Sequence, residues 1–201
     1  MSTYPLSFTA ASLRPRESQL LAARYRELGN WETVYAAVSS DPLFGQRKKA
    51  SIRRTFNELT LRLKTLSEGE LAQLAEGDPT TVRLLLWQAV CRAYPFIGNF
   101  VAEVIYPKVR RLDYRLLESD YRGYLREQSE RHPRLLELAD STREKLRSQL
   151  FRMMVEAGLL DSTTERNLQL PAVSEELCTC VPAHLRDTLR YWLLAETADC
   201  A

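Results

Sequence analysis

Apolar positions recur along this chain at intervals of three and four, the spacing that gathers them on one face of a helix, and they seldom alternate as in a strand. The pattern predicts a first helix from about Arg16 to Leu28, entered through Pro15 and stopped at Gly29, residue types favoured at those two ends. Asn30 can cap a short helix from Trp31 to Val38, which ends at Ser39-Ser40-Asp41-Pro42. A third helix, from about Arg47 to Leu66, carries Ile52, Phe56, Leu59, Leu63 and Leu66 as one continuous stripe. Ser67-x-x-Glu70 forms a capping box for a helix that stops at Gly77. Asp78-Pro79 then opens a buried helix to Tyr94, and Pro95 opens the next, up to Pro107.

The second half is more polar. Segment 108–118 reads as irregular, and Ser119-Asp120 start a polar helix to about Arg131. Pro133 begins a short helix, RLLELA, and Ser141 or Thr142 caps a longer one through Ala157, with Gly158 as its stop. Residues 161–171, where Leu168 and Leu170 alternate with polar positions, suggest a β-ribbon, and a last helix spans about Pro182 to Glu196. The expected fold class is mainly α: a multi-helix bundle with an N-terminal helix-turn-helix-like unit and a C-terminal winged helix-turn-helix-like unit with a small β-ribbon. The 201 residues divide on this reading into 1–66, a basic N-terminal unit, 67–131, a central buried helical core, and 132–201, the winged unit.

Leu84 to Ala102 is long and apolar enough to suggest a membrane span, but Arg92 sits at its centre and Pro95 divides it. A central arginine costs roughly 2.5–3.5 kcal/mol on insertion scales, so two buried helices meeting at Tyr94-Pro95 are expected. No basic region followed by an apolar stretch opens the chain, and a soluble, cytoplasmic protein with reduced thiols is expected. Four cysteines and two histidines, with Cys178-x-Cys180 the only close pair, lack the paired spacing of a structural zinc site. No phosphate loop, dinucleotide-binding or zinc-protease motif is present, and His132 and His184 have no nucleophile motif nearby. The expectation is no enzyme, no catalytic residue, no metal, no cofactor and no small-molecule substrate.

Charge changes the picture more. The net charge is +2, but residues 1–66 carry +6, 67–160 carry 0 and 161–201 carry −4, and 23 of the 28 basic residues are arginine. Five cations, Arg47, Lys48, Lys49, Arg53 and Arg54, crowd the start of the third helix with no acidic residue before Glu58, and Ser51 lies among them. Cations there oppose the helix dipole, a cost that an anionic partner would relieve. The helix after Asp140 offers Ser141, Thr142, Arg143, Lys145, Arg147 and Gln149, hydroxyls and cations suited to phosphate and base edges, and Arg166 falls where a wing tip would be. A solvated basic face is the alternative reading of either cluster. Tyr114, Tyr121 and Tyr124 lie among arginines and could contact nucleic acid or a protein, or pack as a satellite cluster.

The runs NWETVYAAV, IRRTFNELTLRLKTLSEGELAQLAEG, LLLWQAVCRAYPFIGNFVAEVIYPKV and STREKLRSQLFRMMVEAGLL follow one another in an order that resembles the BrxA family of bacteriophage exclusion (BREX) systems, over roughly Leu6 to Leu177. The resemblance implies a mainly helical bacterial accessory protein of anti-phage defence, binding double-stranded DNA beside other BREX proteins. It supplies no catalytic residues. Two further readings remain beside it: a protein–protein adaptor in the defence complex, and an RNA-binding helical module.

Overall fold

The computed structural model describes residues 6, 8, 12–44 and 49–194. Ten α-helices follow one another there: α1 (Pro15–Leu28), α2 (Trp31–Val38), α3 (Lys49–Leu63), α4 (Glu68–Glu76), α5 (Pro79–Ala93), α6 (Pro95–Phe100), α7 (Tyr106–Arg110), α8 (Glu118–Arg131), α9 (Asp140–Ala157) and α10 (Glu175–Thr179). The protein is mainly α-helical, as the spacing predicts.

Local chemistry explains most of the boundaries. Asn30 accepts hydrogen bonds from the N–H groups of Glu32 and Thr33, and Asp78 from those of Thr80 and Thr81. The capping box at Ser67 and Glu70 is complete in both directions. Gly29 and Gly158 close α1 and α9 at φ 65° and 77°, the left-handed region that glycine enters without a Cβ clash. α3 ends three residues early, at Leu63, because the chain tightens through Thr65 and Leu66 into the Ser67 cap. Between α6 and α7 a π-helical turn spans Val101–Ile105. Pro107, which has no N–H and crowds the carbonyl four residues before it, is accommodated just after this widened turn.

α5 is the centre of the molecule. Every residue from Leu84 to Cys91 is buried, so this stretch of the helix is enclosed on all sides, and α3, α4, α6, α9 and a 3₁₀ segment, Ala183–Trp192, pack around it. Two indoles join that last segment to α5: Trp87 donates to the Tyr191 carbonyl at 2.9 Å and Trp192 to the Leu84 carbonyl at 3.0 Å. Within the described residues the expected terminal α-helix is thus a 3₁₀ segment, closed by Leu193 in the left-handed region at φ 60°, and its expected end at Glu196 lies outside those residues. Among the described residues no helix is long and apolar enough to cross a membrane.

Arg92, the residue that divides the apolar run, reaches the completely buried Glu70 through two hydrogen bonds of 2.8 and 2.9 Å. Gln88 and Thr188 join this network. A second buried pair, Arg62 with Glu58 at 2.7 Å, also takes in the Tyr94 hydroxyl. Cys91 and Cys180 are free thiols. Cys178 is disulfide-bonded, so the expectation of reduced thiols fails there.

Candidate nucleic-acid interface

The C-terminal cationic face is built from three short extended segments and two helices. Segment 114–116 lies beside 166–168 through a Leu116 N–H to Arg166 carbonyl bond (2.9 Å) and a Leu168 N–H to Tyr114 carbonyl bond (2.7 Å). Segment 159–161 pairs with the other edge, by Asp161 N–H to Asn167 carbonyl and Gln169 N–H to Leu159 carbonyl, both 3.0 Å. The ladder is antiparallel on both sides but amounts only to isolated bridges, Arg115 with Asn167 and Leu160 with Leu168. The expected ribbon is this short because Arg166 turns into the left-handed region at φ 60° and Pro171 cannot extend the ladder.

α9 buries Leu146, Leu150, Phe151, Met153 and Met154 against this ladder and the core. The opposite stripe, at helical spacing, is Ser141, Lys145, Ser148 and Arg152, all exposed. Thr142, Arg143, Arg147 and Gln149 lie on the flanks and are half-buried. Neither Ser141 nor Thr142 caps the helix. Its N-cap is Ala139, with no side-chain cap bond, because the turn begins earlier than the hydroxyls suggest. The expected RLLELA helix is a single 3₁₀ turn, Pro133–Leu135.

Several arginines in this region are already paired. Arg143 bonds Asp140 at 3.1 Å and the Leu136 carbonyl at 2.7 Å. Arg147 bonds Glu118 and Glu144, and Arg166 bonds Glu118 at 2.8 Å. Burial pushes the Glu118 carboxyl up, but hydrogen bonds from Arg147 and Arg166 outweigh it and hold the group below the usual carboxylate range. The two arginines line a cleft of about 330 Å³ between α9 and the 161–166 turn, with Ser148, Arg152 and Thr163. A neighbouring groove of about 450 Å³ runs between α8 and the start of α9, past Arg122, Arg126 and Arg143.

At the other end of the chain, Lys49, Ser51 and Arg54 are exposed on the first turns of α3, which hold no acidic residue. Arg53 is different: it grips Glu32 of α2 at 3.1 and 3.2 Å and lies 4.3 Å over the Tyr35 ring. Arg47 and Lys48 lie outside the described residues. Tyr121 and Tyr124 are core residues, packed edge-on against Phe96 and Phe100, whereas Tyr114 is exposed. Among the described residues no three His, Cys, Asp or Glu side chains lie close enough to hold a metal ion.

Sequence reasoning missed Arg152 and Glu118. Arg152 was legible, as the next member of the 141/145/148 stripe. Glu118 was not, since its partners lie 29 and 48 residues away.

The pattern of the BrxA family matches residues 2–184 of this chain. Two relatives carry the name "BREX protein BrxA". The one from Escherichia coli O9:H4 (strain HS) is 30% identical over 131 residues, 65% of this chain and 58% of its own length. The one from Paramagnetospirillum magneticum (strain ATCC 700264 / AMB-1) is 22% identical over 192 residues, 95% of this chain and 94% of its own. The match to the first relative therefore spans less than two thirds of that protein. A crystal structure of an uncharacterized protein from Magnetospirillum magneticum superposes with a TM-score of 0.72 at 21% identity, covering 99% of this chain and 98% of that one.

Proposed function

The chain belongs to the BrxA family, and from that premise we propose that it is a non-enzymatic, double-stranded-DNA-binding component of a bacterial BREX anti-phage system, working in the cytoplasm beside other BREX proteins. The observation that carries the DNA reading is the order of segment 114–116, α8, α9 and the bridged pair 159–161/167–169. That order resembles that of a winged helix-turn-helix, in which the second helix enters the major groove and the wing follows the backbone. In that pose the exposed stripe of α9 meets DNA, with Lys145 and Arg152 on phosphates. Lys49, Ser51 and Arg54, continuing the Arg47-Lys48 run, form a second contact to phosphate.

Anisotropy titrations of a labelled duplex against the intact protein and the double variant Lys145→Glu/Arg152→Glu test this. Loss of two phosphate contacts should weaken binding and shallow the plot of log K against log salt by about two units. Unchanged affinity and slope in the variant would remove α9 from the interface. An adaptor role is the second reading, favoured by the pairing of Arg53, Arg143, Arg147 and Arg166 with carboxylates. An adaptor should leave the duplex unbound at physiological salt, and a preference for RNA in the same titration would mark the RNA-binding alternative.

A further inference from the structure

Glu118 is the first residue of α8, yet its carboxylate serves two other elements. One oxygen accepts from Arg147 in the middle of α9, the other accepts from Arg166 at 2.8 Å, and Arg122 stands 3.5 Å away. Arg147 and Arg166, with Arg152, are also the cations that line the cleft between α9 and the 161–166 turn. A carboxylate held by guanidinium groups from two directions takes the same donors that the oxygens of a phosphodiester would take. With Glu144 on Arg147 and Glu156 at 3.8 Å from Arg152, the positive potential of the cleft is largely cancelled from within.

Two further features mark the arrangement as incompletely satisfied. Arg166 is held in the left-handed region at φ 60°, and its Nε is buried with no hydrogen-bond partner. The Tyr121 hydroxyl, also buried and without a partner, lies within electrostatic reach of Glu118, Glu144 and Arg147. A buried donor left unmatched is costly.

We propose that this cleft is a phosphodiester-binding site and that Glu118 is its built-in competitor, masking Arg147 and Arg166 until a nucleic-acid phosphate displaces it. The proposal rests on the DNA-binding reading for its ligand, and it adds the means by which weak contacts are suppressed. A transient encounter offers too little to displace Glu118, whereas a duplex already seated on the exposed stripe of α9 presents its phosphate at high local concentration.

The variant Glu118→Gln keeps the volume and removes the charge. Calorimetry with inorganic pyrophosphate and anisotropy with a duplex at several salt concentrations are the readouts. Glu118→Gln should bind both probes several-fold more tightly, with the duplex salt slope steeper by about one unit. Adding Arg147→Ala and Arg166→Ala should erase the gain. Should Glu118→Gln not fold, Glu118→Asp, which withdraws the carboxylate by one methylene, carries the same expectation with a smaller gain. Affinity at or below that of the unmodified protein for both probes would overturn the proposal and leave Glu118 a structural brace. A gain for pyrophosphate with no duplex binding by any variant would keep the anion site and reject the DNA reading.

Discussion

Single side chains carry opposite duties in this protein, and burial decides which. Glu70 and Arg92 are sequestered ions whose value lies in being paired, because removing one partner strands the other charge out of water. Arg92→Met should cost about 3–5 kcal/mol and lower the melting temperature by roughly 10 °C, although the new side chain is the more apolar. A loss under about 1 kcal/mol in denaturant titration would show that Glu70 does not depend on it. Proton linkage gives a second expectation. Asp78, Asp113, Glu118 and Asp161 are all held below their usual values, by hydrogen bonds that outweigh any burial. Groups lowered in the folded state contribute stability above the ordinary carboxylate range and lose it as pH falls through their lowered values. Acid titration should therefore destabilise the fold progressively below about pH 4, and Glu118→Gln should blunt that loss; an equally steep loss would remove Glu118 from the account. Burial, with Glu70 adding to it, pushes the Cys180 thiol up to about 11. It should stay protonated and react slowly with alkylating reagents at neutral pH, far more slowly than a small free thiol, and parity with such a thiol would contradict this.

At the scale of helices and turns, stability rests on ends that were legible in the sequence. Asn30, Ser67, Asp78, Gly29 and Gly158 all act where their residue types promised, since a cap is a local bond between neighbours in the chain. Ser67→Ala should cost about 1 kcal/mol, and Gly158→Ala a similar amount, because alanine enters the left-handed region only with strain. Both are read by thermal unfolding, and a neutral result for Ser67→Ala would mean that Glu70 alone anchors the start of α4. The start of α9 differs from the expectation for the converse reason: two hydroxyl candidates, Ser141 and Thr142, stand side by side, and the turn preceding the helix, not their chemistry, sets Ala139 as the cap. The buried tyrosines were ambiguous because an aromatic ring among arginines fits a surface or a satellite core equally well, and only the packing of α8 on Phe96 and Phe100 decides. Ion pairs such as Glu118 with Arg166 join residues far apart in the chain, so no spacing rule could reveal that the cationic face carries its own anion.

Among the described residues, exposed cations gather at the start of α3 and along α9, two regions joined through one apolar core that centres on α5. If both meet the same duplex, their contributions should be close to additive, since the sites share no partner. Reversing charge at Lys49 and Arg54 should then weaken binding by a further factor when combined with Lys145→Glu/Arg152→Glu, and no further loss would confine DNA to a single face. Both regions act only if the protein binds a duplex at all. Titration of the unmodified protein with a labelled duplex from low to physiological salt tests it most directly. The expected result is saturable binding whose log K falls linearly with log salt, by about 0.9 for each phosphate contacted; no saturable binding at physiological salt would contradict it.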